Sequence, residues 1–207
     1  MATITVTVTM AAPLELRDLS IAPVLAAATL KGRLRAECTL IVAALGLRAC
    51  GGHKRAAMCY ADPCPICQLF GGPWRAGLLY FEDLKANKPA ALERRQTSQR
   101  GRQRGVVRGT SDAQYDLLPA GSTLTGVIRY DVAPLWPVGL AVLGLRAITF
   151  IGGGRSVGHG LCSVDAAPFD RNGQPIASTA LAAAMRAYVA TQSGAGATVA
   201  DPERPPP

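Results

Sequence analysis

Five of the chain's six cysteines fall between Cys38 and Cys67. Within that span Cys50, His53, Cys59, Cys64 and Cys67 occupy eighteen residues. Zinc needs four soft or borderline ligands in a tetrahedron. The Cys64-Pro-Ile-Cys67 turn supplies two thiolates, because a two-residue gap lets both sulfurs face one ion. His53 and Cys59 complete the expected set, with Cys50 as the alternate for His53. A lone CxxC would also fit a redox pair. So many candidates in so short a span favour a closed, structural Zn²⁺ site, which would fold residues 50–70 as a compact insert. Cys38 and Cys162 lie outside it and read as core residues.

The rest of the chain mixes strand and helix signals. Thr3 to Met10 alternates Thr with apolar residues, as a half-buried strand does. Residues 11–25 contain Pro13 and Pro23, show no clear period and read as a loop whose charges, Glu15, Arg17 and Asp18, fit a solvated turn. From Ala26 to Leu47, Leu30, Leu34, Cys38, Ile41 and Leu45 recur at helical spacing. Thr29 is a possible N-cap. Lys31, Arg33 and Arg35 fall in the first turns, where the helix dipole is already positive. Such a cluster is either a solvated basic face or one offset by a bound anion such as an RNA phosphate.

Residues 68–83 read as a glycine turn and a short strand. Residues 85–108 then hold Lys85, Lys88, Arg94, Arg95, Arg100, Arg102, Arg104 and Arg108 against the single acid Glu93. That density fits an extended hairpin gripping nucleic acid or, more simply, a basic linker. A strand, a turn at Pro119-Ala120-Gly121 and a second strand follow, then a helix over 134–145. Next comes ITFIGGGRSVGHG, from Ile148 to Gly160. A strand feeding Gly152, Gly153, Gly154, Arg155, Ser156 and His159 is either a glycine-rich turn or a cradle for phosphates. It matches neither GxGxxG before a helix nor GxxxxGK[ST], which disfavours dinucleotide and ATP sites. A closing strand (161–164), a helix (178–190) and a disordered tail (193–207) complete the expected order.

Net charge is +8 with a pI near 9.5, which points to a polyanionic partner. No apolar run of about 18 residues suggests a membrane span. The alternating start does not look like a signal peptide, so a cytoplasmic location without membrane attachment is expected.

Taken in order, LKGRLR opening a helix, CPICQLFG, a basic hairpin and GGGRSVGHG resemble the RAMP superfamily of CRISPR proteins. Within it they resemble the Cas-seven-type backbone subunits of type III-like or type VII-like effectors. The resemblance runs from about Thr3 to Val164. It implies an α+β fold: an RRM-like, ferredoxin-type βαββαβ palm with an inserted zinc-binding segment and a β-hairpin thumb (about 85–115). Residues 1–192 would form a single domain. Copies would stack along a guide RNA, pair it with complementary target RNA and meet other CRISPR effector subunits. Lys31, Gly32 and Arg35 would touch guide phosphates, with Arg33 beside them. Gly153, Gly154, Arg155, Ser156 and His159 would border the RNA path. Arg94, Arg95, Arg100, Arg102, Arg104 and Arg108 would lie on the thumb. Target-cutting relatives carry an Asp before an Arg-Asp pair; here Arg17-Asp18 looks like the pair, and the Asp position falls on Ala12. The expected protein is therefore a non-catalytic RNA holder. Its alternatives are an endoribonuclease assisted by Asp18 or Glu15 and a divalent metal, or a generic zinc-stabilised RNA-binding module.

Overall fold

A computed structural model describes residues 1–16, 24–50, 58–87, 92–97, 113–130 and 133–194. The Thr/apolar alternation forms strand β1 (Ala2–Met10), with Ile4, Val6, Val8 and Met10 fully buried on one side. β1 lies between two antiparallel partners, β8 (Thr123–Tyr130) and β9 (Cys162–Phe169). β8 pairs on its other edge with β4 (Leu79–Phe81) and β5 (Leu84–Ala86), and β5 pairs with β3 (Val24–Leu25). The sheet order β3-β5-β8-β1-β9 is antiparallel throughout. A second sheet holds β2 (Leu14–Leu16), β7 (Ala113–Leu118) and β6 (Glu93–Thr97) in the order β2-β7-β6.

Helix α1 (Ala27–Ala44) follows β3, and α3 (Trp136–Ala147) connects β8 to β9. α1 packs on α3 and β4, and α3 packs on β9 and on the last helix, α4 (Ser178–Gly194). The main elements therefore follow the order strand, helix, strands, helix, strand. The face of β1 and β8 away from the helices carries Thr3, Thr5, Thr7 and Thr9 beside Arg129, Val127, Thr125 and Thr123. It is a hydroxyl-rich surface. Tyr130, the aromatic residue of these two strands, is buried on the opposite side, across from Ala2.

Several sequence expectations change. Residues 11–25 include two strands, because Leu14 and Leu16 bury their side chains and pair with β7 despite the flanking prolines. Glu15 is thus a strand residue and not part of a solvated turn. Helix α1 ends before Leu45, which is 39% exposed; Val42 takes its place on the buried face. Thr29 is not the N-cap. Ala26 holds that position without a side-chain cap, and the Ala27 N–H donates to Asp83 Oδ1 at 2.7 Å, across 56 residues of sequence. Ile148 begins no strand; Phe150 makes only an isolated bridge to Leu161. The closing strand continues to Phe169, and α4 includes Ser193 and Gly194, which composition alone assigns to the tail. Residues 195–207 lie outside the described residues.

Candidate nucleic-acid interface and thiol cluster

Helix α1 has 18 residues, a span of about 27 Å at 1.5 Å per residue. The segments singled out in the sequence collect at its two ends.

At its N-terminal end, the finish of β1 meets the beginnings of β8 and β9: Thr9 pairs with Thr123 and Met10 with Cys162. The glycine loop is stitched to the chain that leaves β1. Ala11 and Ala12 both donate their N–H to Leu161 O, at 2.8 and 3.1 Å, and Gly160 N–H donates to Pro13 O at 2.8 Å. Glu15 bridges Gly153. Inside the loop, Arg155–Val157 form one 3₁₀ turn between Gly154 and Gly158, both at positive φ. A Cβ on Gly154 would stand 2.7 Å from His159 Nδ1 and 2.9 Å from Glu15 Oε2, so the imidazole and the carboxylate converge on the space that the missing side chain leaves. At Gly160, with φ +80°, a Cβ would stand 2.1 Å from Ile151 O; only glycine admits that approach. The tip is exposed, with Arg155 over the Phe150 ring at 5.2 Å.

On α1 itself, Lys31 Nζ lies 6.0 Å from the centre of the Phe81 ring and Arg33 pairs with Glu37. Gly32 is exposed with open space beside it. Burial pushes the Cys162 thiol up to about 11, while the Arg33 charge pulls it down. The free helix N-terminus inferred for a phosphate is taken in part by the Asp83 carboxylate. Among the described residues, three buried side-chain nitrogens have no hydrogen-bond partner: Arg33 Nε, an Arg35 terminal nitrogen and His159 Nδ1. Arg33 lies in the first half of α1, Arg35 halfway along it, and His159 in the glycine loop.

Of the basic segment, residues 85–87 and 92–97 are described. Arg94 and Arg95 lie in β6, opposite Asp116 and Tyr115 of β7. Arg100, Arg102, Arg104 and Arg108 lie outside the described residues, as do Arg17 and Asp18.

At the other end of α1, Cys50, Cys59, Cys64 and Cys67 place their sulfurs within 4.8 Å of one another. Bonds of about 2.3 Å around a tetrahedral zinc would set sulfurs about 3.8 Å apart, so this donor set fits such an ion. Local folding explains the convergence. Cys64 is the N-cap of α2 (Pro65–Phe70) and Cys67 sits in its first turn, with Pro65 at the first helical position. Cys64 N–H points at Cys59 Sγ at 3.5 Å, and Cys50 Sγ is 3.3 Å from Cys67 Sγ. Burial pushes the Cys64 and Cys67 thiols well above their usual range. A bound cation inverts that preference by binding the thiolates. Cys50, the alternate in the sequence reading, stands with the expected Cys59, Cys64 and Cys67; His53 lies outside the described residues. Cys38 and Cys162 are buried elsewhere, as expected of core residues.

The site signals missed in sequence are Asp83, as the cap of α1, and Arg48, whose guanidinium reaches Cys59 Sγ at 3.5 Å and both the carbonyl and carboxylate of Asp62. Neither stands out from its sequence neighbours. No helix among the described residues is long and apolar enough to cross a membrane.

The fold and these two ends define an α+β protein with an antiparallel sheet, a basic helix start beside a glycine loop, and a four-cysteine cluster able to hold a metal. Residues 7–163 match the sequence model of the RAMP superfamily, and the chain belongs to that superfamily. No curated protein matches it in sequence. Among solved structures, a chain of a Type IV-B CRISPR complex is similar at 16% identity with a TM-score of 0.54, covering 79% of this chain and 90% of that one. That likeness is one of fold.

Proposed function

We propose that this chain is a guide-RNA-binding backbone subunit of a CRISPR effector. In this reading it polymerises along the guide and holds the guide–target RNA duplex in the cytoplasm beside other effector subunits. The observation that carries the proposal is the set of unpartnered buried nitrogens on Arg33, Arg35 and His159. Buried polar groups are normally satisfied, so each of these exceptions calls for an outside acceptor, although Arg33 and Arg35, two residues apart on α1, face different sides of the helix. Phosphate and sugar oxygens are such acceptors. The net charge of +8 and the likeness in fold to a chain of a CRISPR complex support the same partner class. Thr side chains on the open face of β1 argue for a backbone grip over base stacking on aromatics.

The main sheet is read as an RRM-like, ferredoxin-type palm within a single domain, residues 1–192. The β6–β7 pair is read as the base of a thumb carrying Arg94, Arg95, Arg100, Arg102, Arg104 and Arg108. Gly32, Gly153, Gly154, Arg155 and Ser156 would border the RNA path. The thiol cluster would hold a structural Zn²⁺ through Cys50, Cys59, Cys64 and Cys67. Bound there, zinc would supply cross-linking of the 50–67 segment and no chemistry on RNA.

Target RNA is held uncut in this reading. Ala12 offers no group to position an attacking oxygen or offset developing charge, and its N–H is spent on Leu161 O. The test uses guide-loaded protein and end-labelled complementary RNA with magnesium. Retention without cleavage is expected. Lys31→Glu with Arg35→Glu should weaken binding about tenfold or more at ~0.15 M salt, alike for every sequence, and flatten the salt dependence. Regularly spaced cuts would instead favour the endoribonuclease reading.

A further inference from the structure

The thiol cluster has a charge problem that its four ligands do not solve. Four thiolates around one divalent cation leave two net negative charges. Cys64 and Cys67 are almost completely buried, so water does little to offset that charge there. Among the described residues, the cation found against a cluster sulfur is Arg48, three residues past the C-cap of α1 at Leu45. Its guanidinium contacts Cys59 Sγ, donates to the Asp62 carbonyl and lies 3.2 Å from Asp62 Oδ2. It therefore spans the Cys59–Cys64 link from the helix side.

Resting on the metal reading above, we infer that Arg48 is a positioning residue of the metal centre. It offsets the surplus thiolate charge and ties the Cys59 segment to the end of α1. Arginine suits the task, because its guanidinium always stays charged and is more weakly hydrated than an ammonium; here one terminal nitrogen makes all three contacts. The alternative is an ordinary surface pair with Asp62. The two side chains are 46% and 83% exposed, and such a pair contributes close to nothing. The two readings differ in metal retention and not in folding.

The experiment times zinc release from the full-length protein to an excess of chromogenic chelator, with cobalt-loaded protein reporting sulfur ligation by its thiolate-to-metal absorption. Wild type should hold zinc. Arg48→Ala should release it about tenfold faster or more, with the cobalt band showing the same four sulfurs and the far-ultraviolet dichroism unchanged. Arg48→Lys should fall between the two, and carries the test alone if the alanine variant is insoluble. Release from both soluble variants within about twofold of wild type would overturn the inference and leave the metal reading standing. A wild-type protein that binds neither zinc nor cobalt would refute the metal reading itself, and the role of Arg48 with it.

Discussion

The two ends of α1 are built in opposite ways. At its C-terminal end, four sulfurs come from one short stretch, Cys50 to Cys67, and satisfy one another's geometry. At its N-terminal end, the pieces come from β1's exit, the helix start, Asp83 and the glycine loop, and among the described residues buried nitrogens of Arg33 and His159 there, and of Arg35 halfway along the helix, are left without partners. The first end is closed on itself and suits a structural ion. The second is assembled from afar and incomplete, as a surface that waits for a ligand is. On the proposed function, one helix would carry a stabilising end and a binding end, and damage to each should have different consequences.

The largest effect should come from Cys64→Ser with Cys67→Ser. Loss of a structural ion removes its binding free energy from folding, so stability should fall by several kcal/mol on the order of magnitude known for zinc modules. Metal content by mass spectrometry and a thermal melt would check this. A native double mutant with unchanged melting would remove the closed end from the comparison.

Gly160→Ala should strike the other end. The added Cβ meets backbone at Ile151 O, and the left-handed φ is strained for alanine. A loss above the roughly 1–3 kcal/mol of the backbone strain alone is expected, together with weaker RNA binding and an unchanged metal content. Chelator titration beside a binding isotherm separates these readouts. Parallel loss of metal would show that the two ends are not independent.

The smallest effect at neutral pH concerns the two cysteines outside the cluster. Burial, with a small push from Glu37, raises the Cys38 thiol to about 12 in the folded chain, against an ordinary 9.0. Cys162 rises to about 11. The unfolded chain therefore gives up these protons first as pH climbs. Their contribution is complete below about pH 9 and lost as pH rises through the folded values. Melting temperature should be flat in this respect near pH 7 and decline above about pH 9. Cys162→Ala should soften the decline, measured by melts across that range.

Much of the thiol end is legible in the sequence because its ligands are neighbours there and metal chemistry restricts the residue types. The helix start and glycine loop are visible as composition. Their surroundings are not: Asp83 reaches Ala27 across 56 residues, and no local pattern marks a cap supplied from that distance. Residues 14–16 read as loop because Pro13 and Pro23 dominate the local signal, while the pairing of Leu14 with Leu118 is a tertiary fact. The boundary of α1 moves for the same reason. Leu45 continues the helical period, yet it stays 39% exposed, and the chain turns at Gly46 with φ +69°.

Whether this chain holds a guide RNA is read by sequencing the RNA that stays bound to the protein purified from its own cells. A discrete RNA population with common ends is expected, retained at moderate salt and depleted by Lys31→Glu with Arg35→Glu. Protein free of RNA, or carrying heterogeneous RNA in amounts that the double charge reversal leaves unchanged, would contradict a guide-holding role.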